Sequence, residues 1–343
     1  MTRNIIFLTI AAAIISLTGC KKVEDVNNND MLMTTTGNNG GGASGCPYRT
    51  FATFDLFSAE VDKTTGFSYD ELVAYEQSIK FDSYGKLADQ AMMEVLKKVD
   101  VYMAMEDTIA AHGKALQELQ LNTAFLQLVT EEDGEQSCET KYYRSTYRYV
   151  MNTDRVLKVD TLFYKVFEGG HASCGTSHYN ALLNMSEAQF SLLGENDPIF
   201  NVFKYDDDDG AKGNYGKSVT RTTTSGKNRV HVNLKYLEFG PRVVFLNTVG
   251  LDGEFWVKTW SQHKTLGIWW NVQHTYTNDI SAKLFINGSL RTGTDKGSNG
   301  GFKREKRLLS LREVFPNNPD PIYIHSCSGY GKIPGITCYM NLN

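Results

Sequence analysis

The chain has 343 residues, 41% of them hydrophobic and 12% aromatic, with 35 basic and 39 acidic side chains giving a net charge of −4. That length holds one large domain or two ordinary ones, and the apolar share is enough for a sizeable core. The acidic balance excludes the broad basic surface that neutralises a phosphate backbone, so nucleic acid is not expected as a partner.

Arg3 supplies a positive start, and Ile5 to Leu17 is an apolar run interrupted only by Thr9 and Ser16. The run has the length of a signal-peptide core and is short for a transmembrane helix. It ends in Leu17-Thr18-Gly19-Cys20, which resembles the lipobox of bacterial lipoproteins. The resemblance implies a signal peptide over residues 1–19, cleavage before Cys20, and lipid on that cysteine as the bond to a bilayer. Several acyl chains on one residue suffice for stable anchoring. Residues 20–47, rich in Lys, Asn, Thr and Gly, read as a disordered tether. Such a tether sets the folded body about 25–30 Å from the membrane. The segment Lys21-Lys22-Val23-Glu24-Asp25 resembles the acidic export signal of surface lipoproteins in the Bacteroidota. An outer-membrane lipoprotein on the periplasmic or the cell-surface face is the expected location.

Residues 48–204 read as an α+β domain. Helices are expected over 68–130, opened by the capping box Ser68-Tyr69-Asp70-Glu71. Met105, Ile109, His112, Leu116 and Leu119 recur at helical spacing and predict one buried face, with Gly113 a candidate break. A hairpin is expected over 141–168, turning at Asn152-Thr153-Asp154. The stretch from Val150 to Lys165 resembles a segment of uncharacterised Bacteroidota lipoproteins, in which Gly often stands at the position of Arg155. Short helices are expected over 177–193, the second opened by Ser186-Glu187-Ala188-Gln189.

Residues 205–228, acidic then Gly- and Thr-rich, read as a linker. From 229 to 343, alternating apolar residues such as Val230, Val232, Leu234 and Tyr236 recur between turn signals, predicting an antiparallel β-sandwich. The fold expected is therefore an α+β region followed by an all-β antiparallel sandwich, a frame that implies no particular function.

Five cysteines follow Cys20, and export would place them where disulfides form. Cys327 and Cys338 flank a turn and form one candidate pair; Cys138 and Cys174 form another, leaving Cys46 over. Cys174 precedes an expected helix start, which favours a thiolate, and resembles the nucleophile of cysteine peptidases. His178, His263, His274 or His325 would then serve as base. Zinc on His171, Cys174 and His178 is the other chemistry this cluster allows, although a thiolate is a poor ligand choice in an oxidising compartment. Asp206 to Gly210 does not complete an EF-hand, because Tyr205 and Gly216 fall where carboxylates are required. Trp256 and Trp260 share a strand face with Lys258 between them, either as core or as a platform for sugar rings. Asp107-Thr108-Ile109 and Asp160-Thr161-Leu162 resemble the O-glycosylation pattern of exported Bacteroidota proteins. No cofactor or metal is expected. A binding or display module for glycan or protein is the leading expectation; a Cys174 hydrolase and a structural part of an envelope assembly are the alternatives.

Overall fold

The computed structural model describes residues 48–342 apart from 132, 143–145, 195–196, 205–217, 246–247, 287 and 317–321. The lipobox, the tether, Cys46 and the run Asp206 to Gly210 lie outside the described residues.

A short strand, β1 (Thr50–Phe51), leads into four helices: α1 (Phe54–Gly66), α2 (Tyr69–Ile79), α3 (Tyr84–Tyr102) and α4 (Thr108–Leu121). Each begins where a side chain accepts from an orphan backbone N–H: Thr53, Ser68, Ser83 and Asp107 in turn. The capping box of Ser68 and Glu71 forms as expected. The helical region differs from the expected 68–130 at both ends. Helix α1 precedes it, and its buried face carries Ser58, Glu60, Thr64 and Thr65 beside Phe57 and Val61, which hides the apolar period. At the other end, 126–130 is strand β2 (Leu126–Thr130), paired with β3 (Gln136–Thr140). Helix α4 runs through Gly113 unbroken and buries Ala111, Ala115 and Leu119, while Ile109 is 84% exposed.

The expected hairpin is also displaced. Residues 146–149 form a 3-10 helix, and the hairpin is β4 (Val156–Val159) with β5 (Leu162–Phe167), turning at Asp160 and Thr161. Asn152 instead uses its side-chain oxygen to accept from Val156 N at 2.9 Å. Arg155 sits at φ 66, in the left-handed region that favours glycine. Strands β6 (Gly170–Cys174) and β7 (Asn201–Lys204) complete a five-stranded sheet, order β1-β4-β5-β6-β7, which we call sheet I. Between them lie α5 (Tyr179–Asn184) and α6 (Glu187–Leu192), the latter opened by the Ser186/Gln189 capping box.

The described part of the expected linker is largely a strand. β8 (Ser218–Ser225) pairs along its length with β9 (Asn228–Phe245), from Ser218↔Lys235 to Ser225↔Asn228. Its Thr-rich outer row faces solvent, so it lacks the apolar alternation of an inner strand. β10 (Thr248–Thr265) and β11 (Ile268–Asn271) join through Leu266 and Gly267, both at positive φ, as a two-residue hairpin turn requires. β12 (His274–Ile286), β13 (Ser289–Gly301), β14 (Lys303–Pro316), β15 (Tyr323–Ile333) and β16 (Ile336–Tyr339) follow.

Sheet II has the order β2-β3-β11-β10-β9-β8, with β14 also on β10; sheet III is β13-β12-β15-β16. Val232, Leu234, Phe255, Val257, Ile280 and Leu284 belong to the core between them, which makes the C-terminal half a sandwich. Gly331 of sheet III lies against Thr259 and Val232 of sheet II, where a Cβ would meet the Thr259 hydroxyl at 2.5 Å. The α+β region is not set apart from this sandwich. Its β3 pairs in parallel with β11, so two of its strands extend sheet II. A second core joins Phe57, Tyr147, Val166 and Phe203 to Leu237 and Trp256 on the far face of sheet II.

Candidate functional site

The cysteines do not pair as expected. Cys338 stands opposite Gly331 and Cys327 opposite Leu342, which leaves them four residues out of register along β15, about 13 Å. A disulfide needs Cα atoms within about 7 Å. Cys138 packs between sheet II and helices α3 and α4, whereas Cys174 packs under α5 and α6 against sheet I. All four are buried and unbridged. Burial pushes the Cys174 thiol up to about 11, the opposite of an activated nucleophile. A three-residue 3-10 turn and the six-residue α5 follow it, together too short for a helix dipole of consequence. His178 is exposed, and His274 opens β12 in sheet III, an element away from Cys174. His171 and Cys174 point to opposite faces of β6, and His171 stacks on Phe203 at 5.2 Å between ring centres. Among the described residues no three His, Cys, Asp or Glu side chains gather as a metal-ligand set.

The tryptophan platform is likewise displaced by burial. Trp256 is fully buried, its Nε1 donating to Glu254 Oε2 at 2.9 Å. Lys258 is buried beside it, and Trp260 stacks on His231 at 4.6 Å. This face of sheet II is covered by the N-terminal region through an ionic seam. Lys303 and Lys235 both pair with Glu305, the latter at 3.1 Å. Burial lowers Lys303 to about 8 and holds Lys258, which also faces Lys303, well below the usual lysine range. Burial works to raise the Glu305 carboxyl, yet Lys303, Lys235 and Lys258 outweigh it and hold that group far below the carboxylate range. Nearer α1, Arg307 spans Glu254 (2.7 Å) and Asp62, and Ser58 adds a hydrogen bond to Glu254. Burial, only partly opposed by Arg307, raises Glu254 to about 6. Apart from the partly exposed Arg307–Asp62 pair, these groups are buried where the α+β region meets sheet II.

Among the described residues, one surface open to a ligand is the outer face of sheet III. Alternation along β12 turns Tyr276, Ile280 and Leu284 inward, leaving Thr277, Asp279, Ser281, Lys283 and Phe285 outward. Pairing with β13 and β15 sets these beside Ser298, Lys296, Thr294, Thr292 and Leu290 on one flank. Lys332, Tyr330, Ser328, Ser326 and Tyr323 take the other flank. At one end Tyr330 meets Tyr339 of β16 edge-on at 6.2 Å, with Tyr339 62% exposed and Lys332 Nζ 5.5 Å from the Tyr330 ring. At the other end Phe285 and Tyr323 stack at 5.1 Å, with His325 alongside at 6.4 Å. The two aromatic ends are six residues apart on β12, about 20 Å. Serine and threonine hydroxyls fill the strip between. Asp279 and Lys296 form an exposed ion pair at 3.4 Å. The sequence held a usable signal for this site. Pro334-Gly335 makes a two-residue turn, and the register it sets opposes Tyr330 to Tyr339. The same register separates the two cysteines.

The threonines of the two Asp-Thr motifs, Thr108 and Thr161, are both exposed. Among the described residues no helix is long and apolar enough to cross a membrane. No family model matches the chain, and no curated protein matches it. Among solved structures it is similar to a DUF4848 family protein from Bacteroides thetaiotaomicron, at 12% identity, covering 84% of this chain and 92% of that one, with a TM-score of 0.29. A likeness of that size assigns neither fold nor family.

Proposed function

We propose that this chain is a lipid-anchored binding module of the bacterial envelope, tethered through Cys20, whose ligand is a glycan held on the outer face of sheet III. The observation that carries the reading is the pair of outward-facing, partly exposed aromatic clusters at the two ends of one sheet face, joined by a strip of hydroxyl side chains. Ring faces stack on the CH-rich side of a sugar, and neighbouring hydroxyls exchange hydrogen bonds with those of the sugar. A protein partner would favour an apolar, charge-depleted centre, whereas the centre here is Ser281, Ser328 and Thr294. Affinity electrophoresis of the full chain through gels carrying different polysaccharides tests this. Retardation should be lost in Tyr339→Ala and in Phe285→Ala. Retardation that survives both substitutions would sink the assignment of this face. The anchor has its own test, since labelling with a fatty-acid analogue should disappear in Cys20→Ala.

A second reading, a part in an envelope assembly, draws on the exposed aliphatic residues Val101, Met103 and Ile109 about the α3–α4 connection. Crosslinking in cells that is abolished by Ile109→Ser would favour it.

A further inference from the structure

Resting on the glycan reading, we infer that the ligand is an anionic polysaccharide bearing carboxylates, a polyuronate, rather than a neutral or densely sulfated one. The whole chain is acidic, at −4. The outer face of sheet III reverses that sign, since Lys283, Lys296 and Lys332 point outward against Asp279 alone. Two of the lysines are committed to the ligand side. Lys332 lies over the Tyr330 ring, so a sugar stacked there meets the ammonium at its edge. Lys283 is exposed in the hydroxyl strip, between Thr292 and Ser326. Lys283 and Lys332 are about 20 Å apart along the strands, six residues by register. That separation spans several sugar rings, so the two lysines meet two well-spaced carboxylates of a chain that carries one on each ring. A densely sulfated chain would leave most of its charges without a cation on this face. Lysine presents a point charge on a flexible stem, which tolerates a repeating ligand sliding along the face.

The test is calorimetric titration of the full-length chain with polygalacturonate, dextran and heparin, each at low and high salt. Polygalacturonate should bind, weaken with salt, and bind roughly 3- to 10-fold less tightly to Lys283→Ala/Lys332→Ala, since each exposed pair contributes modestly. Lys97→Ala, on the exposed side of α3, should bind as the parent does. Dextran bound as tightly as polygalacturonate, with the lysine variant silent, overturns the anionic assignment and leaves the glycan reading standing. Heparin bound more tightly than polygalacturonate overturns the carboxylate class. Failure of Tyr339→Ala to weaken any of the three, or no binding at all, overturns the glycan reading and this inference with it.

Discussion

Arg155 illustrates how a single backbone angle sorts competing contributions. A left-handed conformation costs an L-residue about 1–2 kcal/mol. In return its guanidinium lies 4.6 Å from the Tyr142 ring and pairs with the half-exposed Glu187. A largely buried cation–π contact contributes about 1–2 kcal/mol and an exposed ion pair less than about 1 kcal/mol. Arg155→Gly should therefore leave stability within about 1 kcal/mol of the parent, because it removes strain and contacts together. Arg155→Ala keeps the strain and loses the contacts, so it should be the less stable of the two by about 1 kcal/mol. Urea midpoints in the reverse order would refute this balance. The buried lysines give a second residue-scale case. Lys258→Met replaces an amine that burial and Lys303 drive toward its uncharged form, and should raise the midpoint. Glu305→Gln strips Lys303 and Lys235 of their shared counter-charge and should cost about 3–5 kcal/mol. The pH dependence follows from the direction of the lysine shifts. The unfolded chain keeps the Lys303 proton up to about 10.5, the folded chain only to about 8. This contribution is present above the unfolded value and lost as pH falls through that window, so the midpoint should climb between pH 8 and 10. The climb should be smaller in Lys258→Met, where one of the two shifted amines is gone.

At the level of elements, α1 is fastened to β10 and β14 by a few polar atoms. Arg307 bridges Glu254 and Asp62, and Ser58 and Trp256 complete the Glu254 carboxylate. Arg307→Met should cost about 3 kcal/mol near neutral pH, because the buried Glu254 and the partly buried Asp62 lose their counter-ion. The loss should shrink on acidification. Glu254 already titrates near 6 in the fold, above its ordinary value of 4.5, and without Arg307 it must rise further. A raised carboxyl contributes stability that is present below the unfolded value and lost as pH rises through the folded one, so the variant should recover below about pH 5. An equal deficit at pH 5 and pH 7 would show that the carboxylates are not the cause. The same elements show what a sequence reading can reach. Both capping boxes and the alternating strands were legible, because each depends on neighbours within a few residues. Helix α1 was not, since its buried Ser58 is satisfied by Glu254, 196 residues on, and its buried Glu60 by Arg49, which precedes the helix. Strand β13 was missed for a related reason. It reads Ser-Leu-Arg-Thr-Gly-Thr-Asp-Lys-Gly-Ser-Asn-Gly-Gly, and only its pairing with β12 holds so glycine-rich a strand extended.

At the scale of the molecule, the α+β region and the sandwich share a sheet and a core. Of the two readings open for Trp256 and Trp260, core or platform, the fold takes core for Trp256, because β2 and β3 extend sheet II while α1 and sheet I cover its outer face. The exposed platform was invisible from composition for the same reason. Which sheet face is free depends on what the first 200 residues cover. A sandwich cut loose at residue 229 would present Lys235, Lys258, Lys303 and Glu305 to water together with Trp256 and Leu237, and β11 would lose its parallel partner. The buried charges would be solvated at little cost, but the apolar part of that face and the edge of β11 would be left open. We therefore expect a fragment of residues 229–343 to aggregate or to unfold at far lower denaturant than the full chain. The full chain should unfold in one step, with tryptophan fluorescence, dominated by sheet II, and helical circular dichroism, dominated by α1 to α4, tracing the same curve. Two separated transitions, or a monomeric fragment as stable as the whole, would mean that the shared sheet does not couple the two regions.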